Sequence, residues 1–216
     1  MPNVFPRSWN FVPLKAVFCV GVLGGYLTLG YWYYFDQDYT RVGYMPDQPV
    51  AFDHALHSGQ LGMDCRYCHN FVEVSGHSNV PSTKTCMSCH SLVGVENPKL
   101  EPVRRSWDTG EPIKWVRIHQ APDYVYFNHA VHVARGVSCV SCHGQVNEME
   151  VVWHHESQSM GWCLDCHREP EKHLRPLDEV YNMTYEVSRE EQLRVGLELK
   201  ERWAVNPPEN CAGCHR

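Results

Sequence analysis

Five copies of one pentapeptide dominate the chemistry available to this chain. They are Cys65-Arg66-Tyr67-Cys68-His69, Cys86-Met87-Ser88-Cys89-His90, Cys139-Val140-Ser141-Cys142-His143, Cys163-Leu164-Asp165-Cys166-His167 and Cys211-Ala212-Gly213-Cys214-His215. Together they take ten of the 11 Cys and five of the 14 His in 216 residues. Two thiols three positions apart share one turn, and the next residue presents an imidazole beside them. That spacing suits two thioether bonds to the vinyl groups of a haem, with the imidazole on its iron. Zinc sites also use paired C-x-x-C units, and disulfides suit an exported protein. Neither explains a His directly after every second Cys. The cofactors expected are therefore five covalently bound haem c groups, with His69, His90, His143, His167 and His215 as proximal ligands. Cys19 stands alone inside an apolar run, where it reads as a small buried hydrophobe.

A low-spin electron-transfer haem takes a second axial ligand, usually His or Met. A repeat supplies most of them. Val50-Ala51-Phe52-Asp53-His54-Ala55-Leu56-His57 recurs as Val125-Tyr126-Phe127-Asn128-His129-Ala130-Val131-His132, and each copy runs through a Gly into a C-x-x-C-H. His54 and His57, like His129 and His132, lie three apart on one side of a helical turn, from which they reach two neighbouring irons. A solvated surface pair is the bland alternative, yet the repeat copies both residues each time. The fifth distal ligand is sought among His77, His119, His154, His155, His173 and the Met residues. His119, in the apolar and aromatic stretch from Trp115 to Phe127, is favoured. Met160 and Met183 are the thioether candidates, and the alternative for each is gap-filling packing.

The elements that must position these groups follow from the spacing. A second C-x-x-C-H begins 21 residues after the first Cys of copy one and 24 after that of copy two. This gives two dihaem modules, about 48–100 and 123–173, and a fifth-haem segment, 174–216. Regular structure should be sparse, because the chain holds 14 Pro and 15 Gly. A helix is expected over Ser188 to Trp203, with Ser188 and Glu191 as a capping box and Leu193, Leu197 and Trp203 as its apolar stripe. Glu96 to Pro112, rich in Pro and charge, reads as a linker or docking loop. About 36 residues per haem leave no room for a separate core around each, so the haems themselves should form the core.

Ahead of the modules, residues 16–35 contain no Asp, Glu, Lys, Arg or His. Twenty helical residues span roughly 30 Å, the thickness of a bilayer's hydrocarbon core. Arg7 and Lys15 precede the run, Asp36 and Asp38 follow it, and Tyr31, Trp32, Tyr33 and Tyr34 crowd its exit. The positive side stays cytoplasmic, so residues 1–35 read as a single-pass anchor in the bacterial inner membrane. Residues 36–216 then read as an exported domain on the periplasmic side. A cleaved signal peptide is the alternative, with a shorter apolar region ending in small residues. Gly21, Gly24, Gly25 and Gly30 permit close packing against another membrane helix. The formal charge of −6 gives no support for nucleic-acid binding, which favours a basic surface.

The Phe-x-His-x-x-His segments ahead of C-x-x-C-H resemble those of the class III multihaem cytochromes c. The resemblance implies that the first His of each segment serves the haem just downstream and the second a different haem. Carried over, His54 pairs with His69 and His129 with His143, while His57 and His132 serve neighbours. Over nearly its full length the chain resembles the pentahaem cytochrome subunits of bacterial alternative complex III. The anchor, the five motifs, Ile118-His119-Gln120-Ala121-Pro122-Asp123-Tyr124-Val125-Tyr126-Phe127-Asn128-His129 and Met160-Gly161-Trp162-Cys163 carry that likeness.

The implied fold is a haem-packed multihaem cytochrome c, mostly irregular with short α-helices, plus one N-terminal transmembrane helix. The implied role is a non-catalytic electron carrier in a quinol oxidoreductase. Its implied partners are an iron–sulfur subunit, polytopic quinol-binding subunits, a monohaem cytochrome and a soluble electron acceptor. Two other classes stand beside it. A stand-alone membrane-anchored quinol dehydrogenase needs an open or weakly held axial position. A multihaem nitrite or hydroxylamine enzyme is disfavoured because the C-x-x-C-K motif of pentahaem nitrite reductases is missing here.

Overall fold

The first long element of the computed structural model, which describes residues 5–35 and 41–215, is a helix, α1 (Val12–Phe35), entered through a 3-10 turn at Arg7–Phe11. Its 24 residues extend about 36 Å, long and apolar enough to cross a bilayer or to serve as a signal sequence. Asp36 and Asp38, the acidic residues after it, lie outside the described residues.

Beyond it the chain is a series of short turns with no strand among the described residues. The helices in chain order are α2 (Cys65–Cys68), α3 (Thr83–His90), α4 (Glu101–Thr109), α5 (His129–Val133), α6 (Val140–His143), α7 (Met160–Arg168), α8 (Arg189–Arg202) and α9 (Cys211–Cys214). A π-helical turn covers Ala55–Gln60. Only eight apolar side chains are buried among the described residues, with Leu174, Val180 and Val103 the deepest. A domain of ordinary composition buries far more of its Val, Leu, Ile and Phe.

Three of the five anchoring turns have a local cause in a side-chain cap. The Asp64 carboxylate accepts from the Arg66 N–H, the Ser159 hydroxyl from the Trp162 N–H, and the Asn210 side chain from the Gly213 N–H. These are N-caps that start a helix at the required residue. The His69, His143 and His215 N–H groups then donate to the carbonyls of Cys65, Cys139 and Cys211 at 2.8–2.9 Å. One closed turn thus carries both thiols and the imidazole.

The modules interlock. The Ala55 N–H donates to the Met149 carbonyl, and the His129 and Ala130 N–H groups donate to the Gly76 and Ser75 carbonyls. The segment after α7 is stapled to the second module by the Arg175 N–H on the Gly136 carbonyl and the buried Ser138 hydroxyl on the Val180 carbonyl.

Two expectations are corrected. Glu96 to Pro112 is not a loop throughout. It contains α4, which packs on α3 and buries Val103 and Ser106. Pro102 sits in the first turn and Gly110, at φ +74°, ends it. Those are helix start and stop signals, which the charged composition obscures.

The helix expected over 188–203 forms as α8, capped by the Ser188 hydroxyl on the Glu191 N–H. The Glu191 carboxylate, however, pairs with Arg194 and does not return to complete the box. Leu197 points outward at 55 % exposure, while Gly196 and Leu199 are buried. The inward face shifts because a Cβ on Gly196 would lie 1.9 Å from the Glu171 carbonyl oxygen, so only Gly lets the two backbones touch.

Gly196→Ala should therefore destabilise the fold by about 1–3 kcal/mol, the usual range for overpacking, despite the better helix propensity of Ala. A lowered melting temperature checks this, and an unchanged one would mean that α8 is not held there.

Candidate functional site

Phe52 and Phe127 organise the two duplicated segments in the same way. The Phe52 ring stands edge-on to His54 at 4.7 Å and 84° and stacks on His57 at 4.5 Å and 25°. The Phe127 ring meets His129 at 4.8 Å and 87° and His132 at 4.8 Å and 28°. One aromatic side chain thus sets both imidazoles of each pair. The second imidazole is also tied to its own segment, with His57 Nδ1 2.7 Å from the Asp53 carbonyl and His132 Nδ1 2.8 Å from that of Asn128.

The same device recurs at other ring nitrogens. His69 Nδ1 lies 2.7 Å from the Asn79 carbonyl, His90 Nδ1 2.9 Å from Val93, His129 Nδ1 3.1 Å from Gly76 and His167 Nδ1 2.8 Å from Pro208. An Nδ1–H that donates to a backbone carbonyl fixes the tautomer and leaves Nε2 as a lone-pair donor for a metal.

Within each module the second imidazole faces the next motif: His57 faces His90 with ring centroids 6.2 Å apart, and His132 faces His167 at the same 6.2 Å. His129 and His143 lie 6.4 Å apart. Two metal–nitrogen bonds of about 2 Å each, added to the two ring radii, span roughly this separation. Burial, followed by the charges of His69 and His57, lowers the His54 pKa to about 4. Burial also takes His143 down to about 3. Both rings are thereby kept neutral, the form that ligates metals.

The thiols are laid out for a distributed cofactor set. Among the described residues no two Cys are joined, and no three of His, Cys, Asp or Glu converge on one point. Instead the pairs Cys65/Cys68, Cys86/Cys89, Cys139/Cys142, Cys163/Cys166 and Cys211/Cys214 each share a turn with their imidazole. That donor set fits a porphyrin held by two thioethers and one nitrogen, and it does not fit a tetrahedral thiolate cluster.

The candidates for the fifth distal place are scattered. His119 packs edge-on against His143 at 4.4 Å and stacks on His154 at 5.0 Å, with its Nε2 buried and unpartnered. The ring beside His215 is Tyr124, at 5.6 Å. Met160 begins α7 and is 65 % exposed, whereas Met183 is buried and lines a cleft with Cys65 and Tyr181.

His154, another candidate for the fifth distal place, is 2 % exposed and belongs to this cluster. Its backbone bonds to Gly43 and Tyr44 and pins the segment after α1 against His119. His155, a further candidate for the fifth distal place, fills with its ring the space above Gly144, where a Cβ would meet it at 2.4 Å, so the Gly directly after the third motif is what admits it.

Comparison with known proteins agrees with this geometry. Residues 125–216 match the family described as cytochrome c7 and related cytochrome c. Over that region the chain is similar to the multihaem cytochromes c, whose cofactor is covalent haem c. It is also similar to the multihaem cytochrome c subunit of the menaquinone reductase of Nitratidesulfovibrio vulgaris (strain Hildenborough), at 33 % identity over 137 residues. That match covers 63 % of this chain and 61 % of the relative's length.

If Phe127 sets both ring planes, Phe127→Leu should alter the electron paramagnetic resonance signals of two low-spin haems and leave the others in place. Circular dichroism should stay unchanged. Signals identical to the parent's would reduce Phe127 to a filler.

Proposed function

We propose that this chain is the electron-carrying subunit of a membrane quinol:acceptor oxidoreductase of the alternative complex III type. One observation carries the reading: the same imidazole pair, at the same 6.2 Å and with the same Phe and carbonyl supports, occurs in both modules. A single pair is consistent with chance packing, but a duplicated pair on duplicated supports is a ligand set.

In this reading the ten motif Cys anchor five haems, and His69, His90, His143, His167 and His215 are the proximal ligands. His54, His57, His129 and His132 supply four distal nitrogens. His119, with its buried unpartnered Nε2, supplies the fifth, and Met160 is the thioether alternative. When bound, haem c supplies a one-electron iron couple. The chain's own work is to hold each imidazole neutral and oriented, to exclude water and to set the spacing. The helix α1 then serves as a retained anchor, with the rest of the chain on the periplasmic side. The quinol site lies in other subunits.

The relative's name supports a second reading, in which electrons run the other way, into a menaquinone pool. The same wire serves either direction.

Intact mass spectrometry should show five haem additions to the chain, and fewer would undo the motif count. The chain should co-purify from membranes with polytopic and iron–sulfur subunits. Quinol should then reduce its haems in that assembly and not in the isolated chain. Reduction of the isolated chain would favour a stand-alone quinol dehydrogenase. In the purified protein, His57→Ala and His132→Ala should each convert one low-spin haem to high-spin, and an unchanged spin count would remove that residue from the ligand set.

A further inference from the structure

Contacts between the five motifs carry information about their order in space. The first and second touch directly: the Tyr67 hydroxyl lies 2.8 Å from the Ser88 hydroxyl, and each belongs to the variable pair of its own C-x-x-C.

The first motif also meets the third. The loop whose Asn79 carbonyl takes His69 Nδ1 offers its Gly76 carbonyl to His129 Nδ1 and to the His129 N–H, and His129 faces His143. On another side Arg66 lies over the Tyr181 ring at 4.4 Å, one residue from the Val180 carbonyl that takes the Ser138 hydroxyl beside Cys139.

The third motif meets the fourth, because Gln158, just ahead of the capping Ser159, donates to the Cys142 carbonyl at 3.2 Å. The fourth meets the fifth through His167 Nδ1 and the Pro208 carbonyl at 2.8 Å, and through Arg168 and Glu209 at 3.6 Å.

We infer that the motifs form a single file in the spatial order second, first, third, fourth, fifth. The two duplicated modules are joined head to head through their first motifs. The file then ends at Cys86–His90 and at Cys211–His215, where an external donor or acceptor must connect.

The inverted start follows from the ligand geometry. His54 and His57 lie on one turn, and His57 faces His90, so the second motif is turned outward while the first is left against the other module.

The inference rests on the reading that each motif carries a haem, and the test separates the two. A His→Met exchange raises the potential of the haem it ligates, and the altered charge during titration then shifts only that haem's neighbours. In the full chain in detergent, after five haems are verified by mass, His57→Met should shift the midpoint of one other haem, and His54→Met should shift two. The reverse, two shifts for His57→Met and one for His54→Met, is what the order of the sequence requires and would overturn the file.

If a variant loses a haem, the unmodified protein gives the same answer. Nuclear Overhauser contacts between porphyrin methyls should link the first haem to the third. Contacts linking the second haem to the third and not to the first would overturn the inference. Fewer than five haems on the unmodified chain would overturn the haem reading itself.

Discussion

Too little apolar surface is buried to order this chain by itself, and everything else in the structure answers to that constraint. Ordering each residue costs backbone and side-chain entropy, and eight buried apolar side chains are a small return over residues 41–215. The missing contact area must come from groups fastened to the chain. Covalent attachment through Cys65 and Cys68 and their four counterparts would make it permanent, and in the proposed reading flat porphyrin faces would take the place of a Leu and Val core. The short capped turns are then sufficient. Each has only to present two thiols and one imidazole, and four or five residues accomplish that.

The second requirement is orientation. An imidazole free to rotate would present either nitrogen, so the tautomer must be fixed from behind. Carbonyls at Asp53, Asn79, Val93, Gly76, Asn128 and Pro208 do this, and all six lie outside the helices. That explains why an irregular chain can be a stiff one. The loops are held because their carbonyls are used, and duplication preserved the arrangement at Phe52 and Phe127 together with the His residues they support.

Much of the site was legible in the sequence, because its spacing is chemical. The C-x-x-C-H units and the Phe-x-His-x-x-His repeat depend on neighbours within a few residues, and the turns form where their caps say. What was not legible depends on distant partners. Ser188 announced the start of α8, but its buried face shifted to Gly196 and Leu199 because Glu171, far away in the chain, presses its backbone there. The 96–112 segment hid a helix under charges, although Pro102 and Gly110 marked its ends. The contacts of His119 with His143 and His154 could not be read from its aromatic surroundings, and no local pattern revealed the reversed order of the first two motifs.

The claim that cofactors replace the core is tested most directly by hydrogen exchange on the full chain made in cells lacking the haem-attachment machinery, compared with the haem-loaded protein. The account predicts cooperative protection across residues 41–215 only when haem is attached, with α8 at most partly protected in its absence. Native-like protection throughout that region in the haem-free chain would contradict it.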